Sequence, residues 1–175
     1  SGFQVSKFKQ AYGFKTLRTQ DPAEVMRRIW AAPTFEVHGL VGGYHGPGVK
    51  TVVPGHGELK VSMRLVPNQT PEKAFALLKK HVAKLNPEVT VEREGMLHPF
   101  RGVFDGPYVD AVKRAVKAGF GKEPAFIREG GSIGAVVTMQ KAWKVPILFM
   151  GLSLPEHGYH APNEYFDWGQ ASGGM

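Results

Sequence analysis

A short glycine-rich stretch has the composition of an anion-binding turn. Gly130, Gly131 and Ser132 precede a predicted helix, and unpaired backbone N–H groups at a helix N-terminus can bind a carboxylate or an oxyanion. The same glycines also suit an ordinary tight turn between a strand and a helix. Ser132 is not part of a G-x-S-x-G sequence, so no serine nucleophile of that kind is predicted.

Two histidines lie three residues apart in a polar loop near the C-terminus. His157 and His160 are imidazoles of the kind that bind metal ions. Zinc requires three or four protein ligands, and the sequence contains neither His-x-Asp nor His-Glu-x-x-His. The segment is therefore either one part of a metal site or a surface loop. The other polar residues of this loop are Glu156, Asn163 and Glu164.

Arg64 is the third candidate, because alternation places it on the polar face of a predicted strand over Glu58–Val66. A guanidinium on a rigid strand can hold a substrate carboxylate through two parallel hydrogen bonds. From the pattern alone, a solvated arginine on an amphipathic strand is the favoured interpretation. His38, His45 and His56 lack ligand spacing and are interpreted as scattered polar residues.

Composition excludes several classes of protein. The 175 residues include no cysteine, so disulfides, thiolate zinc sites and cysteine nucleophiles are excluded. The longest apolar run, Val145–Met150, is too short to span a membrane. The net charge of +7 is spread along the chain without a block of like charges. This distribution of charge favours lysines and arginines that lie on solvated helix faces. Attraction of anionic substrates is the second interpretation, and no nucleic-acid partner is expected.

The first half of the chain predicts an α+β lid, a two-layer sandwich with helices on an antiparallel sheet. A helix is predicted from an Asp21 cap, with Glu24 placed as in a capping box, up to Pro33. A second helix is predicted after a Thr70 cap. The predicted strands are Thr34–Leu40, Glu58–Val66 and Val89–Glu94.

The second half predicts part of an α/β domain. Its helices are expected over Pro107–Ala118, closed by Gly119, and over Val136–Ala142. Ala125–Ile127 and the continuously apolar Val145–Met150 are expected to be parallel strands, the latter buried on both faces. Ligands bind at the carboxyl ends of such strands, so the loops that follow these strands are expected at one rim.

Four ordered motifs resemble one enzyme family. They are Pro-Thr-Phe-Glu-Val-His-Gly-Leu-Val-Gly-Gly-Tyr with Lys-Thr-Val-Val-Pro, Arg-Leu-Val-Pro, Arg-Glu-Gly-Gly-Ser-Ile and His-Ala-Pro-Asn-Glu. Together they resemble the carnosinase-type dinuclear zinc metallopeptidases, relatives of acetylornithine deacetylase and glutamate carboxypeptidase. The resemblance implies a ferredoxin-like dimerisation (lid) domain over residues 1–98, incomplete at its N-terminus. It also implies the C-terminal part of a catalytic domain over residues 99–175.

The resemblance also implies roles for individual residues. His160 would be a zinc ligand, and Gly131 and Ser132 would bind the carboxylate or backbone of the substrate. Thr51 and Arg64 would contact the substrate from the lid, within one chain or across a dimer. Relatives usually carry proline where this chain has a glycine at position 134.

The early motifs of the family have no match in this chain and would lie before Ser1. They hold most ligands of the two zinc ions and the general base, so no catalytic residue is expected here and the chain alone is expected to be inactive. The implied parent is a cytoplasmic homodimer that hydrolyses the amide bond of dipeptides or N-acyl amino acids, with no membrane partner. The alternative is a stand-alone dimerisation or ligand-binding module without catalysis.

Overall fold

The computed structural model describes residues 2–128 and 133–175. The chain forms two units. One holds the residues up to Ala31 together with Phe100–Met175, and the other is Ala32–Pro99. The predicted division into family domains, 1–98 and 99–175, stays a prediction.

Both units contain helices, whereas the sheet belongs to the second one. In chain order the elements are α1 Val5–Ala11, α2 Pro22–Ala31, β1 Thr34–Gly42, β2 Gly57–Arg64, α3 Pro71–Leu85, α4 Pro107–Phe120, α5 Gly134–Trp143, a 3₁₀ turn Pro155–His157, and α6 Trp168–Gly174. Within the described residues this is a small α+β fold, as the sequence predicts.

The strands β1 and β2 form an antiparallel hairpin with one irregularity. Thr34 pairs with Arg64, and the register shifts between Val37 and Gly39, so His38 is the extra residue of a β-bulge. Without the bulge, Leu40 would point to the opposite face from Val37. The bulge instead pairs Leu40 with Leu59. The apolar side chains therefore share one face, and Arg64 shares the other with the polar ones.

Helix capping is mostly as predicted. The hydroxyl of Thr70 accepts the N–H of Lys73 at the start of α3, and Asp21 accepts the N–H of Ala23 at the start of α2. The predicted capping box of α2 is wrong, because the carboxylate of Glu24 binds arginines one turn further along the helix. The backbone N–H of Asp21 donates instead to a threonine hydroxyl.

The predicted end of α4 at Gly119 is also wrong. The helix runs to Phe120, and Gly121, at φ +67°, is the left-handed cap. Gly119 instead lies where α4 packs against α6, and a Cβ there would collide with the carbonyl oxygen of Gly173. The glycine is needed for close approach of the two helices rather than for termination.

Three predicted strands are absent from the part of the chain that the structure describes. Val89–Glu94, Ala125–Ile127 and Val145–Met150 are extended or irregular segments, and the only ladder among the described residues is that of β1 and β2. A strand requires a hydrogen-bonded neighbour, which the local pattern of apolar residues does not supply. Nor is Val145–Met150 buried on both faces, since Phe149 is 57% exposed.

The accessible surface is large for the mass of the chain. It measures 14264 Å². A single folded protein of 19.2 kDa exposes about 8,400 Å², and two separate globular proteins of half that mass together expose about 10,000 Å². Among the described residues, the side chains classed as buried hydrophobic are Val25, Val109 and Val136. Most apolar side chains thus keep substantial surface available for contacts beyond this chain. No described helix is long and apolar enough to cross a membrane.

Candidate functional site

Thr51 lies in the long loop that joins β1 and β2, and its side chain is exposed. The N–H of Val52 donates to the carbonyl of Lys50 at 3.0 Å, so Thr51 is the central residue of a γ-turn. Nζ of Lys50 lies 5.7 Å from the centre of the Tyr44 ring, and the Tyr44 hydroxyl donates to the carbonyl of Pro47. These contacts within the loop fix the turn that presents the Thr51 hydroxyl.

Arg64 is the last residue of β2. Its Nε lies 4.0 Å from Oε2 of Glu36, and the other carboxylate oxygen accepts the Thr34 hydroxyl at 3.1 Å. The Arg64 side chain is 48% exposed. The hairpin therefore holds the guanidinium on its polar face, beside Glu36.

Thr51 and Arg64 lie toward opposite ends of the hairpin. Thr51 belongs to the loop that enters β2 at Gly57, and Arg64 is at the far end of the same strand. At about 3.3 Å per residue, β2 alone is about 23 Å long. An extended dipeptide spans only about 7 Å. Arg64 is therefore separated by the length of β2 from the end of the hairpin at which the Thr51 loop joins the sheet.

His160 lies in the other unit, in the β-turn closed by the hydrogen bond from Ala161 N–H to the carbonyl of Gly158. Its φ is +63°, a left-handed conformation that is uncommon outside glycine. Its ring packs edge-on against Tyr159 with centroids 5.3 Å apart. The side chain is exposed, and an exposed imidazole suits one ligand position on a metal ion.

His157 has a different environment, which the sequence did not reveal. Its side chain is 2% exposed, and both ring nitrogens are used. Nδ1 accepts the N–H of Leu154 at 3.1 Å, so the proton is on Nε2, which donates to Oδ2 of Asp167 at 2.7 Å. In this arrangement His157 offers no lone pair to a metal ion. Its equal standing with His160 as a candidate ligand is therefore wrong.

Asp167 connects this histidine to α6. Its Oδ1 accepts the N–H of Gln170, which caps the helix. This bond is the main reason that the pKa of Asp167 lies below its usual value, and the hydrogen bond from His157 lowers it further, against the opposing effect of desolvation. Asp167 is therefore a carboxylate at neutral pH and accepts both bonds. Its position ten residues after His157 gave no recognisable spacing signal.

The remaining candidates do not complete a metal site. Gly131 and Ser132 lie outside the described residues. Glu156, Asn163 and Glu164 are exposed, and within residues 2–128 and 133–175 no three metal-binding side chains cluster together. By donor chemistry His160 fits one ligand position of a zinc ion. The described residues do not supply the other ligands that a cage requires.

Comparison with known proteins identifies the family. The model of the peptidase dimerisation domain, M20_dimer, matches residues 2–90. The chain belongs to this family.

The relatives are metallodipeptidases. The chain is 30% identical to a Cys-Gly metallodipeptidase of Schizosaccharomyces pombe, over 94% of this chain and 36% of that protein. It is 31% identical to the human Beta-Ala-His dipeptidase, over 81% of this chain and 29% of that protein. The chain thus spans about a third of the length of the curated relatives it matches.

A solved structure gives the same result for the fold. The M20 family metallo-carboxypeptidase Sso-CP2 from Sulfolobus solfataricus superposes on 98% of this chain with a TM-score of 0.85 at 29% identity, and 40% of that chain is covered. The family resemblance read from the four motifs is therefore confirmed, and the relatives' class implies a metal cofactor.

Proposed function

We propose that this chain is part of a homodimeric, zinc-dependent metallopeptidase that hydrolyses the amide bond of dipeptides or N-acyl amino acids. The family match and the metallodipeptidase relatives support the class. Residues 1–98 act as lid and residues 99–175 as part of the catalytic domain. The chain alone is inactive, because the described residues hold one candidate ligand rather than a cage.

In this proposal the site residues of the chain bind zinc or bind and orient the substrate. His160 holds one zinc ion through its imidazole. Zinc, when bound, polarises a carbonyl and lowers the pKa of bound water. Arg64 binds the substrate carboxylate, and the backbone N–H groups at Gly131 and Ser132 bind the carboxylate or backbone of the substrate. Thr51 donates its hydroxyl to the reacting carbonyl oxygen, where charge develops.

The observation that carries the proposal is the separation of Thr51 and Arg64 along one hairpin. Because a dipeptide is much shorter than β2, this separation favours a site that takes the two residues from two copies. A twofold dimer creates two such sites at once, each with Thr51 of one copy and Arg64 of the other. A dimerisation domain provides the means of forming that pair.

Subunit complementation tests this arrangement in the protein that contains this chain. Thr51→Val and Arg64→Ala are each expected to reduce activity strongly. A heterodimer of the two variants, isolated with two different affinity tags, has one site with both changes and one wild-type site. It should recover about half of the wild-type activity.

If the two residues act within one copy, every site of the heterodimer carries one change, and activity stays at the level of the parent variants. That result would refute the dimeric site. A heterodimer of two wild-type chains that carry the same two affinity tags is the matched control for the effect of the tags.

A stand-alone dimerisation module is the second candidate, favoured by the large exposed apolar surface of this chain. Both ideas expect that this chain alone binds no zinc, and zinc stoichiometry, measured by elemental mass spectrometry on the chain after metal loading and desalting, tests that shared expectation. Near-zero zinc fits either the module or a chain that needs the remaining ligands. Two zinc ions per chain would contradict both, and would mean that the site is complete here.

A further inference from the structure

The imidazole of His157 is the most buried polar side chain in the described part of the protein. It packs against Tyr165 and Phe166, with ring centroids 5.0 Å and 5.8 Å away. Its two ring nitrogens bind two points that are far apart in sequence, the N–H of Leu154 and the carboxylate of Asp167. The ring therefore connects the segment before the His160 loop to the segment after it.

The backbone of His157 closes the same loop. Its N–H donates to the carbonyl of Leu154 at 3.0 Å, and its carbonyl accepts the N–H of Tyr165 at 3.1 Å. Residues 158–164 are thus held at both ends by a single residue. His160 lies within this closed loop.

The loop conformation requires such restraint. His160 and Asn163 both have positive φ, +63° and +64°. A left-handed conformation is unfavourable for residues with a Cβ, so the turn persists only where the surroundings determine it. The contacts of His157 restrain both ends of the loop, and the hydrogen bond from Ala161 N–H to the carbonyl of Gly158 restrains the turn inside it.

We infer that His157 is a positioning residue for His160: its buried ring, fixed between Leu154 and Asp167, sets the loop conformation in which His160 presents its imidazole to a metal ion. The inference rests on the proposed role of His160. His157 itself touches neither metal nor substrate. Its partner Asp167 serves the same purpose from α6.

The position of Asp167 depends in turn on helix packing. Asp167 is the N-cap of α6, and α6 approaches α4 closely at Gly119. The packing of α4 against α6 therefore helps to fix the Asp167 carboxylate, which accepts the hydrogen bond from His157. This relation joins the His160 loop to the helical part of its own unit.

Variants at two positions separate positioning from general stability in the protein that contains this chain. His157→Leu removes both ring hydrogen bonds, whereas His157→Gln retains one acceptor and one donor. Asp167→Asn keeps an oxygen for the Gln170 N–H but turns an amide donor toward the Nε2–H of His157. Asp167→Ser keeps the cap and lacks the second oxygen. Val109→Ala, in the buried part of α4, is the control for lost stability.

Two readouts are used: the zinc dissociation constant from chelator competition, and the hydrogen exchange rate of the Ala161 and Tyr165 amides. His157→Leu, Asp167→Asn and Asp167→Ser should weaken zinc binding about 10- to 100-fold, the range measured for residues that orient metal ligands. They should also accelerate exchange of both amides. His157→Gln should restore binding to within a few-fold of wild type, and Val109→Ala should lower thermal stability without changing zinc affinity.

The inference is overturned if His157→Leu and Asp167→Asn bind zinc as wild type does, or if Val109→Ala weakens binding as much. Should His157→Leu fail to fold, the two Asp167 variants decide the question alone. His160→Ala tests the underlying proposal separately. If that variant retains all its zinc while His157→Leu still accelerates exchange at Tyr165, the loop is positioned as described and the metal role of His160 is wrong.

Discussion

Arg64 and Glu36 are diagonal neighbours on one face of the β1–β2 ladder, with Nε of the arginine 4.0 Å from Oε2 of the glutamate. The second oxygen of Glu36 accepts the hydroxyl of Thr34, which pairs with Arg64 in the register. The carboxylate is therefore attached to one strand while it orients a cation on the other. An arginine that is oriented and still half exposed can bind a second carboxylate, which is the role proposed for it.

Removal of the Arg64 guanidinium should weaken transition-state binding in the complete enzyme. We expect Arg64→Ala to lower kcat/KM by the equivalent of about 2–5 kcal/mol, the range for loss of one partner of a desolvated charge pair. Arg64→Lys should recover part of this, because a lysine keeps the charge but loses the two-pronged geometry. Steady-state kinetics on a dipeptide checks both variants.

Lys60→Ala is the matched control, because Lys60 shares the polar face of β2 and pairs with Glu58. It should leave kcat/KM near the wild-type value. An unchanged kcat/KM for Arg64→Ala would contradict the substrate-binding role of this arginine.

Loss of the His160 imidazole should remove zinc. We expect His160→Ala in the complete protein to lose about one zinc ion per active site, because each ion requires three or four protein ligands and the vacated position is not replaced by a nearby donor. Elemental analysis after dialysis measures the content. His98→Ala, which removes an exposed histidine beside Glu72, should keep the full content, and full content in His160→Ala would exclude it as a ligand.

Local sequence patterns were sufficient to predict the elements whose start depends on neighbouring residues alone. The Thr70 cap with Pro71 placed the start of α3 correctly. The strand β2 was confirmed over Gly57–Arg64, although its burial does not alternate and it ends two residues before the predicted Val66. The β-bulge at His38 was not predictable, because it depends on how two distant strands align. The same limit explains Val145–Met150, whose composition suits a buried strand but which has no ladder partner among the described residues.

The candidate site shows the same limit. Residue type and pattern already made Arg64 and His160 candidates, whereas Thr51 was found only through family resemblance, since no spacing rule selected it. The roles of His157 and Asp167 could not be found, because burial and a contact ten residues apart arise only when the chain folds. A lone histidine in a polar loop gives no sequence signal that distinguishes a buried anchor from an exposed ligand.

The two glycines at the end of α4 should differ in their effect on stability. Gly119→Ala forces α4 and α6 apart and should lower the free energy of unfolding by about 1–3 kcal/mol, as overpacking does. Gly121→Ala places a Cβ on a left-handed residue and should cost about 1 kcal/mol. Urea denaturation followed by circular dichroism measures both.

Gly55→Ala is the control for these substitutions, because a Cβ there meets open space. It should leave stability nearly unchanged. If Gly119→Ala were as mild as Gly55→Ala, the close approach of α4 to α6 would be wrong.

Glu24 should make the stability of α2 dependent on pH in the acidic range. Its carboxylate binds Arg27 and Arg28, and the hydrogen bonds to these arginines, Arg27 first, lower its pKa from 4.5 to about 2. Because the folded pKa is the lower one, the stabilisation is fully present above about pH 4.5. It is lost as the pH falls toward 2. Glu24→Gln should therefore be less stable than wild type at pH 7, by a small amount since the group is partly exposed, and equal to it near pH 2.

Urea unfolding midpoints of wild type and Glu24→Gln, measured in steps from pH 7 to pH 2, test this expectation. The difference between the two proteins should also shrink in concentrated salt, which screens exposed ion pairs. Glu94→Gln, at an exposed position outside the helices, is the control for loss of one negative charge. A difference for Glu24→Gln that stays constant across the whole pH range would show that the ion pairs with Arg27 and Arg28 do not contribute to stability, and that the glutamate acts through its helix propensity alone.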